Sequence, residues 1–256
     1  MRASVPLLEV VGLGKLFGGV EAMKDVGLSM PPGEIRALIG PNGAGKTTFL
    51  NLVTGVYKPS AGSIRFDGRS LVGMRPSRIA AVGVMRTFQH TALFEGLDVC
   101  DNVAISAFAR QRWMLLGDVI GSRRAREAAA ASRAEALKWL AFVGLEAKAS
   151  RSTGSLTPAE RRLVEVARTM AAEPRLILLD EPFAGMTQPE AEALFRLIQK
   201  VREQGVGVLV IDHNIRLLLK LADAVTVLSF GRKIGEGTPA QVRGSQAVVD
   251  AYLGQD

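Results

Sequence analysis

One segment constrains this chain more than any other: Gly40-Pro41-Asn42-Gly43-Ala44-Gly45-Lys46-Thr47-Thr48. It fits G-x-x-x-x-G-K-[ST], a loop that cradles phosphate. The run Ile35-Arg36-Ala37-Leu38-Ile39 before it is apolar and of strand type, and Thr47 to Val53 after it can continue as a helix. A strand, a glycine loop and a helix N-terminus together make an anion site. The backbone N–H groups point inward, and the helix dipole adds roughly half a positive charge. Lys46 is expected to reach the β- and γ-phosphates of a nucleotide, and the Thr47 hydroxyl to ligate Mg²⁺.

The second landmark is Leu176-Ile177-Leu178-Leu179-Asp180-Glu181, a continuous apolar run ending in two acids. Such a run implies a strand buried on both faces of a parallel sheet. Its C-terminal end is where α/β folds place ligand chemistry. There Asp180 can hold the Mg²⁺ shell, and Glu181 can polarise an attacking water. Val206 to Ile211 reads as another buried strand, ending at Asp212-His213.

The remaining chain fills in around these. Leu7 to Val11 and Met23 to Met30 read as strands, with Gly12 to Gly19 between them as a glycine-rich turn region. Ile64-Arg65-Phe66, followed by Asp67-Gly68, reads as a strand in a hairpin. From about Leu97 the periodicity becomes helical: Asp98 to Arg110 and Arg123 to Val143 carry apolar residues at three- and four-residue steps. The Arg123-Arg124-Ala125-Arg126 cluster reads as a solvated face, and Trp113 and Trp139 as packing residues. Helices are expected over Leu163 to Ala172 and Pro189 to Glu203, with a strand over Ala224 to Ser229. Thr238-Pro239 starts a C-terminal helical region, Thr as cap and Pro at the first helical position.

These readings give an α/β fold. Its P-loop NTPase core is a mainly parallel sheet, with a small antiparallel β subdomain and a helical insertion. We place the ATP-binding domain at residues 7–240, the insertion at about 97–172 and a helical tail at 241–256. The net charge of +7 suits an anionic membrane surface, nucleic acid or the nucleotide itself. No apolar run approaches the roughly 18 residues of a membrane span, so the chain is expected to be cytoplasmic. The one cysteine, Cys100, excludes an internal disulfide and reads as a small buried apolar residue.

Lys46, Asp180-Glu181-Pro182 and His213, in this order and spacing, resemble the ATPase subunit of ABC transporters. The resemblance covers nearly the whole chain. It implies ATP and Mg²⁺ as cofactors, with Gly40 to Thr48 binding nucleotide. It makes Arg86-Thr87-Phe88-Gln89 similar to the family's glutamine loop, in which Gln89 would contact Mg²⁺ and water and move with a transmembrane partner. It also implies that His213 contacts the γ-phosphate and that Phe17 stacks on adenine. Leu7-Leu8-Glu9-Val10, Phe17-Gly18-Gly19, Leu93-Phe94, Ala184-Gly185-Met186 and the ending Ala251-Tyr252-Leu253-Gly254 resemble the subunits that power branched-chain amino-acid importers and their urea and amide relatives.

The implied partners are transmembrane permease subunits, a second ATP-binding subunit in a heterodimer and, indirectly, a solute-binding protein. The implied location is the cytoplasmic face of the plasma membrane. One element departs: the family's L-S-G-G-Q signature falls on Leu156-Thr157-Pro158-Ala159-Glu160. That departure motivates an alternative, a catalytically weak ATP-dependent clamp. A nucleic-acid-linked ATPase is the weakest reading, because neither a long coiled-coil insertion nor a second ATPase unit is present.

Overall fold

The computed structural model describes residues 5–87, 93–110, 123–246, 248 and 250. In chain order the first elements are β1 (Leu8–Phe17), β2 (Val20–Met30), β3 (Ile35–Ile39), α1 (Lys46–Val53), β4 (Ala61–Phe66), β5 (Arg69–Ser70), α2 (Pro76–Ala81) and β6 (Val84–Thr87). Three longer helices follow: α3 (Val99–Arg110), α4 (Arg123–Phe142) and α5 (Pro158–Ala171). The chain then alternates through β7 (Leu176–Asp180), α6 (Gln188–Glu203), β8 (Gly207–Ile211), α7 (Ile215–Leu221), β9 (Ala224–Ser229), β10 (Arg232–Gly237) and α8 (Pro239–Arg243).

Burial explains the division into two sheets. β3, β7 and β8 are buried at every position, and they run parallel within one sheet of order β10-β9-β3-β8-β7-β6. Apolar side chains on both faces need cover on both faces. β1, β2 and β4 alternate buried and exposed residues, and pair antiparallel in a second sheet of order β2-β1-β4-β5. Between them lies a shared core in which Phe49, Leu50, Leu38, Leu178, Leu209 and Met30 are all fully buried. Each such side chain contributes roughly 1.5–3 kcal/mol by leaving water.

Gly12 to Gly19, read as a turn region, is instead mostly strand. β1 runs on to Phe17, and only Gly18 and Gly19 form the turn into β2. The earlier glycines serve the strand. The pairing of β1 with β2 shifts register between Val10 and Leu13, where Gly12 has φ 59, and Gly14 lets β4 approach so that an added Cβ would lie 3.3 Å from the Ala61 Cβ. Glycines at bulges and close approaches imitate turn composition in sequence. The helix read over Leu163 to Ala172 begins earlier, at Pro158. The hairpin through Asp67-Gly68 forms as read, with Phe66 paired to Arg69.

Contacts divide the chain into two compact units. One comprises Met1–Arg86, Arg175–Gly185 and Ala191–Asp256, and holds both sheets apart from Thr87. The other comprises Thr87–Pro174 with Met186–Glu190, and holds α3, α4 and α5. Within this second unit Cys100 is buried, and burial pushes its thiol up from the ordinary value, so it is an inert packing residue. Trp139 packs edge-on to Phe142 at 5.5 Å. The Arg123–Glu127 ion pair lies on exposed surface. Among the described residues no helix is long and apolar enough to cross a membrane.

Candidate functional site

Strand order brings the motifs together. β8 lies between β3 and β7, so the segments leaving the C-terminal ends of these parallel strands are neighbours. Gly40 to Thr48 leaves β3, Glu181 follows β7, and His213 follows β8. Segments so distant in sequence meet because each strand ends at the same sheet edge.

At its first residue, Gly40, the loop after β3 leaves no room for a side chain. A Cβ added to Gly40 would lie 2.2 Å from the Leu228 carbonyl oxygen and 2.9 Å from the Ala44 Cβ. Lys46 Nζ folds back and donates to the carbonyls of Gly40 at 2.6 Å and Pro41 at 2.8 Å. Burial holds the Lys46 ammonium below the ordinary lysine pKa, and the carboxylates of Glu181 and Asp180 oppose that shift. α1 starts at Lys46 from Gly45 with no side-chain cap and no acid in its first turn. By contrast, α5 and α8 both carry complete capping boxes. An uncapped N-terminus beside a glycine loop leaves N–H groups free for an anion.

The two acids have separate surroundings. Asp180 is buried and pairs with Arg86 at 2.6 Å, and Arg86 also donates to Asn51 of α1 at 2.6 Å. This arginine, at the end of β6, was read only as part of the glutamine loop. Glu181 takes a left-handed backbone, φ 51, and its N–H donates to the Ile211 carbonyl at 2.8 Å. A left-handed φ at a non-glycine residue is uncommon and marks functional turns. The Glu181 carboxylate lies 3.0 Å from His213 Nε2. Asp212, buried, accepts from the N–H groups of Phe183 and Asn214, each at 2.9 Å, and so ties the turn after β7 to the turn after β8. Asp212 therefore positions both Glu181 and His213. An acid closing an apolar strand was its only signal in the sequence.

These segments line a cleft of about 470 Å³, bounded by Val20, Glu21 and Ala22, by Asn42 to Thr48, and by Glu181, Ile211, His213, Phe230 and Gly231. Phe17 is absent from this lining. Its ring packs edge-on to Tyr57 at 5.1 Å, with Lys15 Nζ 4.8 Å above it. Gln89 lies outside the described residues. The cleft fits a polyphosphate: a lysine, an uncapped helix N-terminus and a glycine loop whose Gly40 has no room for a side chain. Hydroxyl and carboxylate oxygens suit a hard divalent cation. Among the described residues there is no group of three or more His, Cys, Asp or Glu side chains that could hold a metal ion.

The signature region lies in the second unit. Thr157 Oγ accepts from the Glu160 N–H at 3.2 Å, and the Thr157 N–H donates to the Glu160 carboxylate at 3.0 Å. Pro158 takes the first helical position. Lys148 pairs with Glu160 and, together with the Thr157 N–H, holds its carboxyl below the usual range.

The ABC transporter family, as a sequence model, matches residues 23–184, and a model described as a branched-chain amino acid ATP-binding cassette transporter matches residues 232–256. The high-affinity branched-chain amino acid transport ATP-binding protein BraF of Pseudomonas aeruginosa is 38% identical over 253 residues, 98% of this chain and 99% of that protein. The corresponding protein LivG of Escherichia coli is also 38% identical over 253 residues, 98% of this chain and 99% of that protein. Among solved structures, an ATP-binding cassette of an ABC transporter in its ADP conformation superposes with a TM-score of 0.82 at 26% identity, covering 98% of this chain and 99% of that one. With its cleft, its sheet order and these relatives, the chain belongs to the ABC transporter family, as one of its ATP-hydrolysing cassette subunits.

Proposed function

We propose that this chain powers an importer for branched-chain amino acids or related small solutes. The observation that carries this reading is the end-to-end match to BraF and LivG, together with the separate match at residues 232–256. Transmembrane permeases and a second ATP-binding subunit would complete the transporter, with a solute-binding protein acting indirectly and no nucleic acid. The chain would sit peripherally on the cytoplasmic face of the plasma membrane.

Each residue of the cleft then has a role. Gly40 to Thr48 wraps the phosphates, and Lys46 exchanges its two carbonyl partners for phosphate oxygens. Thr47, Gln89 and Asp180 would hold Mg²⁺, which neutralises charge on the phosphates when bound. Arg86 holds the Asp180 carboxylate in place. Glu181 accepts the proton of the attacking water, and His213, 3.0 Å away, orients the Glu181 carboxylate and faces the γ-phosphate. Phe17 is the residue the family resemblance assigns to adenine.

Lys46→Ala tests the cleft. It removes a charge-assisted contact worth about 1.5–3 kcal/mol, so ATP affinity should fall roughly 10- to 150-fold. Calorimetric titration reads this directly, and unchanged affinity would remove the loop from the nucleotide site. Partner identity is tested separately. The tagged chain should co-purify with permease subunits and leave nucleic acid behind, and the opposite pattern rejects the importer.

A further inference from the structure

Arg86 stands in β6, which lies beside β7 at one edge of the mainly parallel sheet. Its two terminal nitrogens go to different elements. Nη1 donates to Asn51 Oδ1 on α1, and Nη2 donates to Asp180 Oδ2 at the end of β7, each at 2.6 Å. The side chains of Arg86 and Asp180 are only 11% and 9% exposed, so this pair is shielded from the solvent and salt that weaken surface ion pairs.

A buried carboxylate needs a compensating charge, and that need alone accounts for the Asp180 arm. It does not account for Asn51, which is neutral and takes a second nitrogen of the guanidinium. Asn51 follows Thr47 by four residues within α1. Side chains so spaced lie on the same face of a helix, one above the other. Arg86 therefore spans, with one rigid planar fork, the helix face that carries Thr47 and the strand that ends in Asp180. Both residues belong to the nucleotide cleft: Thr47 lines it, and the charge of Asp180 is felt at the Lys46 ammonium.

We infer that Arg86 is a positioning residue for the divalent cation: by bridging Asn51 and Asp180, it sets the spacing between the Thr47 hydroxyl and the Asp180 carboxylate. This rests on the reading that those two residues hold the cation that accompanies the nucleotide. Side chains standing behind metal ligands act in this way, by fixing the ligand oxygens before the ion arrives.

The test separates spacing from charge. Mn²⁺ is the probe, because the free ion gives an electron paramagnetic resonance signal that is lost on binding. It is titrated into the full chain saturated with ATP, and ATP affinity without metal is measured by calorimetry in EDTA. Two variants divide the bridge. Arg86→Lys keeps a charge for Asp180 but has one nitrogen where the fork has two. Asn51→Ala cuts the arm to α1 and leaves the Arg86–Asp180 ion pair whole. Each should weaken Mn²⁺ binding by about 10- to 100-fold, the usual worth of a residue behind a metal ligand, with ATP affinity in EDTA unchanged. Parent-like Mn²⁺ affinity in Arg86→Lys overturns the inference, because Arg86 would then serve only as a charge. Parent-like affinity in Asn51→Ala overturns it too, and this variant alone decides if Arg86→Lys does not fold. A matching loss of ATP affinity in EDTA also rejects it, since the phosphate loop itself would have moved. If the unmodified chain with ATP holds Mn²⁺ no more tightly than ATP alone does, the cation reading fails, and the bridge falls with it.

Discussion

Glu181→Gln is expected to slow ATP hydrolysis by about 10²–10⁴-fold, the usual worth of a positioned general base, while leaving nucleotide binding in place. The substitution preserves volume and one carbonyl oxygen, so the contact with His213 at 3.0 Å can persist. It also leaves the left-handed backbone at position 181 to another L-residue, so the turn after β7 keeps its geometry and its N–H bond to Ile211. What disappears is the ability to take a proton. Steady-state phosphate release, measured beside an ATP titration, gives the two numbers needed. Hydrolysis within a few-fold of the parent would remove Glu181 from the chemistry. Lost ATP binding would show that the variant damages the fold of the cleft instead.

The second large effect concerns the signature. The family resemblance implies that each ATP would lie between one subunit's phosphate loop and the other subunit's signature. In this chain the start of α5 is already occupied by its own side chains. The Thr157 hydroxyl caps the Glu160 N–H, the Glu160 carboxylate stands where an anion would approach, and Pro158 has no N–H to give. Compared with the uncapped start of α1, this is a closed helix end. Losing one anion donor costs roughly 10²–10³ in rate.

In a heterodimer whose partner keeps a full signature, the two ATP sites should therefore be unequal. Glu181→Gln here should abolish transport, and the equivalent change in the partner should be milder. Conversely, Thr157→Ser, Pro158→Gly, Ala159→Gly and Glu160→Gln together should restore hydrolysis at the site this chain's α5 faces, by about 10²–10³-fold. Equal losses from the two glutamate variants, or a reconstructed signature that changes nothing, would reject the asymmetry.

The sequence made the cleft legible through its most constrained residues. A glycine loop, two acids at a strand end and a strand-end histidine can be read because phosphate chemistry fixes both type and spacing. Thr157, Pro158 and Glu160 were legible for the same reason: a capping box is local, three residues long, and forms as its spacing dictates. Arg86 and Asp212 were not. Arg86 acts through Asn51 and Asp180, partners far away in the chain, and nothing local marks it. The first half of β1 was read as a strand, but its continuation from Gly12 to Phe17 was missed because bulge glycines and turn glycines have the same composition, and only the pairing with β2 and β4 tells them apart.

The interlock around the phosphate loop has a consequence for the thermodynamics of loading. Gly231 holds Ala44 by a backbone bond, Gly40 is wedged against Leu228, and Lys46 ties the loop to its own carbonyls. Freezing a residue's backbone costs about 1–2 kcal/mol in conformational entropy. Here the contacts of the folded protein already meet that cost, so it is not subtracted each time a nucleotide arrives. Successive rounds of loading and release can then proceed over a loop whose order never has to be rebuilt.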